Sequence, residues 1–257
     1  MQINVRGLVI KTVDIRETDR LITIFTEEMG VVSAMARGAR SLKSRKMSST
    51  MQFCYSDFVL YMQGDKYWIK EASLIESFFE IRETIEGLSL ANYISEVLSD
   101  VAIAEADKDL LRLSLNSLYA VSSKKYELCK IKAVFEMRAA SILGFMPDVV
   151  ACSKCGEQLG EFFFDIMAGG IECQKCHKEA EMRRELPEFS HESRVICILS
   201  EGAKMAMGYA IYAPLDKLFS FRISDEDMHL FSRAAEEYLL NQVGHTYKTL
   251  EFYKKII

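Results

Sequence analysis

Near Phe78 the spacing of apolar residues changes from every second position to every third or fourth, and this switch divides the chain into a β part and an α part. Before it, five runs rich in Val, Ile, Phe, Tyr and Thr cover residues 3–13, 20–26, 31–37, 53–62 and 66–75. Short polar or glycine breaks separate them. Gln63-Gly64-Asp65 joins the last two and reads as a hairpin turn in which glycine takes the positive φ. Phe58, Leu60 and Met62 put apolar side chains on one face. Five short strands with tight turns predict a small barrel or sandwich, and five is the strand number of an OB-fold.

Beyond the switch, helices are predicted over 88–106, 108–122, 124–143, about 190–206 and from Ser224 onward. In the third, Leu128, Ile131, Phe135 and Ile142 form the apolar stripe, with Lys124, Lys130, Lys132 and Glu136 elsewhere. Gly144 follows as a stop and Pro147 lies just beyond. Ser224 reads as an N-cap, with Asp225, Glu226 and Asp227 filling the first turn, where the helix dipole favours negative charge. Met228, Phe231, Ala235 and Tyr238 give the buried stripe of this last helix. The expected class is α+β: a five-stranded OB-fold barrel over residues 1–80, binding nucleic acid, then an all-helical domain over 81–257. A cysteine module at about 148–180 is inserted between its helices.

That module is Cys152-Ser-Lys-Cys155-Gly156 and Cys173-Gln-Lys-Cys176-His177, a C-x2-C-x17-C-x2-C pattern. Two sulfurs three positions apart can face one ion when the chain curls between them, and Gly156 suits such a curl. Two hooks supply four soft thiolates, which satisfies tetrahedral zinc and leaves no open position for water. Cys152, Cys155, Cys173 and Cys176 are therefore the expected ligands of one structural zinc. Cys173–His177 also spells a haem-attachment string, but that chemistry needs an export signal and none is visible. His177 could replace one cysteine as ligand, but is expected instead to sit exposed beside the site. Cys54, Cys129 and Cys197 read as small buried hydrophobes.

The net charge of −5 argues against a general nucleic-acid coat, so any such contact has to rest on a local patch. One exists. Arg37-Gly-Ala-Arg40-Ser-Leu-Lys43-Ser-Arg45-Lys46 carries five positive charges in ten residues without an acid, and Met47-Ser-Ser-Thr50 continues it. Small residues give flexibility, and hydroxyls can bond phosphate oxygens. The segment joins the third strand to the fourth, where it can follow a phosphate backbone with counterion release as the driving force. The plainer alternative is a solvated charged loop. Tyr55, Tyr61, Tyr67 and Trp68 lie near enough in sequence to stack on bases, although each also suits strand packing. The usual OB-fold binding loops are not basic here. The first, residues 14–19, is more acidic than basic, and the other pairs Asp65 with Lys66.

No P-loop, dinucleotide fingerprint or nucleophile elbow is present, and His177, His191, His229 and His245 have no ligand spacing. His191-Glu-Ser fails the deaminase signature. A non-enzyme is expected. No apolar run approaches the roughly 18 residues of a membrane span, and a cytoplasmic location is expected.

Three stretches resemble the RecO family of bacterial recombination mediators. Arg6-Gly-Leu-Val-Ile-Lys11, Glu17-Thr-Asp-Arg-Leu-Ile-Thr-Ile-Phe-Thr26, Gly30, Ala36-Arg-Gly-Ala-Arg40 and Lys43-Ser44 are similar to its opening strands. Leu143-Gly-Phe-Met-Pro147-Asp148 and Cys152-Ser-Lys-Cys-Gly156 match its helix end and first knuckle, and His245-Thr-Tyr-Lys-Thr-Leu-Glu-Phe252 its C-terminal signature. The resemblance implies an N-terminal OB-fold, a helical C-terminal domain with a zinc module, and a nucleoid-associated role in bacteria. It implies binding of single- and double-stranded DNA, annealing of complementary strands, and loading of the RecA recombinase onto strands coated by single-strand binding protein, with RecR as partner. The cationic residues expected to touch phosphates are Arg37, Arg40, Lys43, Arg45 and Lys46. The alternative is a zinc-containing protein-interaction adaptor whose DNA contact is indirect.

Overall fold

The structure is a computed structural model that describes residues 2–102, 107–184 and 194–257. By contact the chain forms two compact units, Met1–Lys125 with Tyr247–Ile257, and Tyr126–Thr246.

The first unit opens with strands β1 (Gln2–Ile15), β2 (Asp19–Thr26), β3 (Gly30–Ala36), β4 (Cys54–Gln63) and β5 (Lys66–Ser77). They close into a barrel in the order β1-β2-β3-β5-β4, with β3 and β5 parallel and the other pairs antiparallel. This is the OB-type Greek-key barrel expected from the strand count. The long β1 serves two neighbours. Its first half pairs with β4 and its second with β2, and the register shifts between Val9 and Lys11. The irregularity bends the strand from one sheet direction to the other, the usual work of a β-bulge at a barrel corner. Gly7 lies just before that corner. A Cβ there would meet Ile24 Cγ2 at 2.5 Å and the Phe25 carbonyl oxygen at 2.6 Å, so only glycine lets β1 approach β2 this closely.

Val5, Val9, Ile22, Ile24, Val32, Ala34, Phe58, Leu60 and Ile69 fill the barrel. Each large one contributes about 1.5–3 kcal/mol by leaving water. Leu8 and Ile10 are also fully buried although they alternate with Val9. Helix α1 (Ile85–Val101) packs against β1 and covers them from outside, and Asn92 on it accepts a hydrogen bond from Gln52, which also donates to the Ile10 carbonyl. Thr84 caps α1 through the Gly87 amide, and Asp107 caps α2 (Lys108–Ser123) through Leu110. Part of the helix expected at 88–106, residues 103–106, lies outside the described residues. The C-terminal helix α7 (Lys248–Ile256) returns to this unit and packs on α1. Tyr247 meets Tyr93 edge to face at 5.8 Å and donates to Asp100 at 2.9 Å, and the Thr249 amide donates to Glu96 at 3.0 Å.

The second unit contains α3 (Leu128–Ile142), β6 (Phe162–Asp165), β7 (Gly170–Cys173), α4 (Gln174–Arg184), β8 (Ile196–Leu199), α5 (Glu201–Tyr212) and α6 (Asp225–Val243). The three strands form a small antiparallel sheet in the order β7-β6-β8. Helix α3 ends as the sequence predicts. Gly144 takes φ +95°, and the Phe145 amide reaches back to the Ala140 carbonyl at 2.9 Å, the paired bonding of a Schellman stop.

Two expectations are corrected here. The helix foreseen over about 190–206 is instead β8 followed by α5, and residues 190–193 lie outside the described residues. The run Ile196-Cys-Ile-Leu199 is short and alternates β-branched Ile with buried Cys197 and Leu199, and Ser200 starts the real helix by accepting from the Ala203 amide. Lys132 and Glu136, assigned away from the buried stripe, are buried. Lys132 Nζ lies 3.0 Å from Glu136 and 2.7 Å from Glu236 of α6, so the charges are paired across two helices rather than solvated.

Candidate nucleic-acid interface and metal centre

The basic segment follows β3. It is a string of turns rather than the open tether its small residues suggest. The amides of Ser41, Ser44 and Met47 each donate three residues back, to Gly38, Ser41 and Ser44. Its base is fastened to the acidic β1–β2 turn. Asp19 accepts from the Gly38 amide at 2.8 Å, and the Arg40 amide donates to the Thr18 carbonyl at 2.9 Å. That first bond, with Arg37 and Arg16 nearby, holds the Asp19 carboxyl below its ordinary range. The negative charge on the first loop is thus what anchors the positive segment.

The geometry divides the five cations. Arg40 is engaged: its guanidinium lies 3.2 Å from Asp14 and donates to the carbonyls of Arg16 and Glu17. Lys46 is half-buried and its ammonium reaches the Ile69 carbonyl at 3.4 Å. Burial pushes its pKa down, and Asp19 opposes that. Arg37 is exposed and sits over the Trp68 ring at 5.5 Å. Lys43 and Arg45 are exposed, and no carboxylate among the described residues pairs with them. Just before them Leu42 is 91% exposed. Of the hydroxyls, Ser49 and Thr50 are buried and donate to the Lys46 carbonyl, so they finish the turn instead of facing outward.

The four aromatics also divide. Tyr67 packs against the barrel core, and Tyr55 donates a short hydrogen bond to Glu27. Trp68 and Tyr61 face each other across β5 and β4 on the outer surface. No local sequence signal marks Asp14 and Asp19 as supports. Their role follows from the β1–β2 turn meeting the β3–β4 segment.

In the second unit the four cysteines converge. Cys152, Cys155, Cys173 and Cys176 place their sulfurs within 4.8 Å of one another. Cys155 Sγ and Cys173 Sγ are 3.6 Å apart, close to the roughly 3.8 Å edge of a tetrahedron with 2.3 Å metal–sulfur bonds. A disulfide requires about 2.05 Å, so this pair is not bonded, and the spacing is compatible with a metal site. Each hook has a local cause. In the first, Gly156 at φ +78° turns its amide back to the Cys152 carbonyl at 2.9 Å. In the second, Cys173 ends β7 and Cys176 lies in the first turn of α4. Burial pushes the Cys152 thiol up, but amide donation from Cys173, Lys154 and Cys155 outweighs it and brings the group to about 6. A thiol so inclined to ionise suits a cation.

The expectation of an exposed His177 is corrected: its side chain is 9% exposed. It stacks on Phe163 of β6, with centroids 3.9 Å apart and planes 7° from parallel, between Glu172 and Glu181. It is not part of the four-cysteine cluster. Behind it Arg194 ties the sheet together by pairing with Asp165 and, at 3.0 Å, with Glu172.

A closed five-stranded barrel bearing a cationic segment, in a chain that continues into helices with a four-thiol knuckle, defines a two-part protein of the OB-fold class. Family models described as Recombination protein O N terminal and Recombination protein O C terminal match residues 1–78 and 82–251. Proteins named DNA repair protein RecO align along the chain. That of Acetivibrio thermocellus is 34% identical over 97% of this chain and 95% of its own length. That of Caldicellulosiruptor saccharolyticus is 29% identical over 99% and 98%. The chain belongs to the RecO family of DNA repair proteins. No helix among the described residues is long and apolar enough to cross a membrane.

Proposed function

We propose that this protein binds DNA without catalysing a reaction, anneals complementary single strands, and helps load a RecA-type recombinase onto strands coated by single-strand binding protein, with RecR as partner. The observation that carries the reading is the pair Lys43 and Arg45: exposed, without carboxylate partners among the described residues, and held on a barrel by a loop whose Arg40 and Lys46 are spent on its own shape. Arg37, Lys43 and Arg45 would meet phosphates, while Arg40 and Lys46 hold the segment in place. Contacts of this kind ignore sequence and release counterions, so binding is tolerant of sequence and sensitive to salt. The four thiols would hold one zinc as a closed structural site, fixing the two hooks to each other and leaving no position for a reacting water.

The test is binding and annealing of oligonucleotides across a salt series. Replacing both Lys43 and Arg45 with Ala should reduce the log-affinity against log-salt slope on single strands by about 1.4, at about 0.7 for each phosphate no longer neutralised. Annealing should slow in parallel. An unchanged slope would remove the segment from the DNA path. A second reading, an adaptor that reaches DNA only through a partner, is favoured by Val150 and Leu159, apolar side chains 55% and 68% exposed near the first hook. DNA binding that appears only when RecR is added would select it.

A further inference from the structure

The register of the barrel places one row of side chains across its outside. Leu21 of β2 opposes Met35 of β3, Met35 opposes Trp68 of β5, and Trp68 opposes Tyr61 of β4. Their chain neighbours Ile22, Ala34, Ile69 and Leu60 are in the barrel core, so the two-residue alternation points this row outward. All four are only partly buried. The row is apolar and polarizable at its centre, and one edge of it carries the guanidinium of Arg37 over Trp68. The indole N–H edge is buried and has no hydrogen-bond partner among the described residues, so the ring is held by packing alone and only its other parts are open to a ligand.

We propose that Trp68 and its outer row form a stacking platform for unpaired bases, and that Arg37 covers it until a strand arrives. The inference rests on the DNA-binding reading and deepens it by naming the side chain that meets the bases of an unpaired strand. A base has the flat π-face that an indole accepts, and base–aromatic stacking is stronger than an exposed cation–π contact. The base therefore takes the place of the guanidinium. Arg37, released, stays within reach of the same nucleotide's phosphate, beside Lys43 and Arg45. A duplex offers phosphates to those cations but keeps its bases stacked inside, so it uses the charges and not the platform.

Trp68 is the chain's single tryptophan, so its fluorescence reports this site alone. Titration of the full-length protein with oligothymidine at fixed salt should quench that emission. A blunt hairpin duplex that binds, as followed by fluorescence anisotropy of a labelled end, should leave it nearly unchanged. Trp68→Leu should weaken single-strand binding about tenfold, the loss of one stacked base. Trp68→Phe, which keeps a ring, should weaken it less than about threefold. Single-strand binding with no change in emission, or Trp68→Leu weakening duplex and single strand equally, would overturn the platform while leaving DNA binding in place. Failure of the wild-type protein to bind either form, alone or with RecR, would overturn both.

Discussion

Single side chains decide several interactions on which larger elements depend, and Asp227 is the clearest case. It accepts from Ser200 Oγ at 2.5 Å and from Ser224 Oγ at 2.7 Å. Each of those hydroxyls in turn accepts from a helix amide, Ala203 of α5 and Asp227 of α6. One carboxylate thus orients two N-caps, and the serine hydroxyls hold its pKa below the ordinary value of 3.8. The folded value lies below the unfolded one, so the contribution is complete above about pH 4 and is lost as pH falls through the folded value. Asp227→Ala should cost about 0.5–1 kcal/mol at pH 7, the low end of the range for a lost cap, because both serines keep their own bonds to the helix amides. In urea unfolding the gap between variant and wild type should narrow at about pH 3. A gap of equal size at both values would show that the carboxylate's charge plays no part. Half of this arrangement is visible in the chain's order of residues. Ser224 is readable as a cap from the acids behind it, whereas its link to Ser200 needs two helices to meet.

At the scale of elements, what is legible follows from local periodicity. The five strands are readable to within two residues at every end because one face of each is buried and the other is not. Helix α3 is readable in its Gly144 stop but starts at Leu128, four positions later than the apolar spacing suggests. The pairing of Lys132 with Glu236 is not legible, since the partner lies on a helix about a hundred positions further on. The four cysteines are legible because each hook is local and the spacing between hooks is that of a known ligand set. Their convergence also makes an element-scale prediction. The proposed zinc ties the first hook, a loop, to the junction of β7 and α4, and ligand binding here is folding energy. Purified protein should carry one zinc per chain. Chelation should raise amide exchange in residues 150–180 and leave the barrel strands protected. Metal content well below one per chain, or uniform loss of protection across both units, would refute a local structural zinc.

For the whole molecule the governing quantity is charge. The chain carries a formal charge of −5, so the long-range field opposes DNA, and attraction has to come from a few cations acting within a Debye length of about 10 Å at 0.1 M salt. The barrel displays the opposition openly. Glu27, Glu28, Asp57 and Glu71 line one shallow cleft, in which Asp57 is matched by Arg6 at 2.8 Å, while Glu28 and Glu71 are exposed and Glu71 has only a loose, solvent-screened contact with Lys70 at 3.9 Å. On the DNA-binding reading these acids slow the approach of a strand without touching it once bound. Glu28→Gln with Glu71→Gln should therefore raise the association rate with single-stranded DNA roughly two- to fivefold at low salt, with the dissociation rate unchanged. The gain should fade as salt approaches 1 M, where the Debye length is about 3 Å. Stopped-flow anisotropy across the salt series separates the two rates. A gain that persists at high salt, or one that appears in dissociation instead, would mean that the cleft meets the strand directly and that repulsion at a distance is not what those acids contribute.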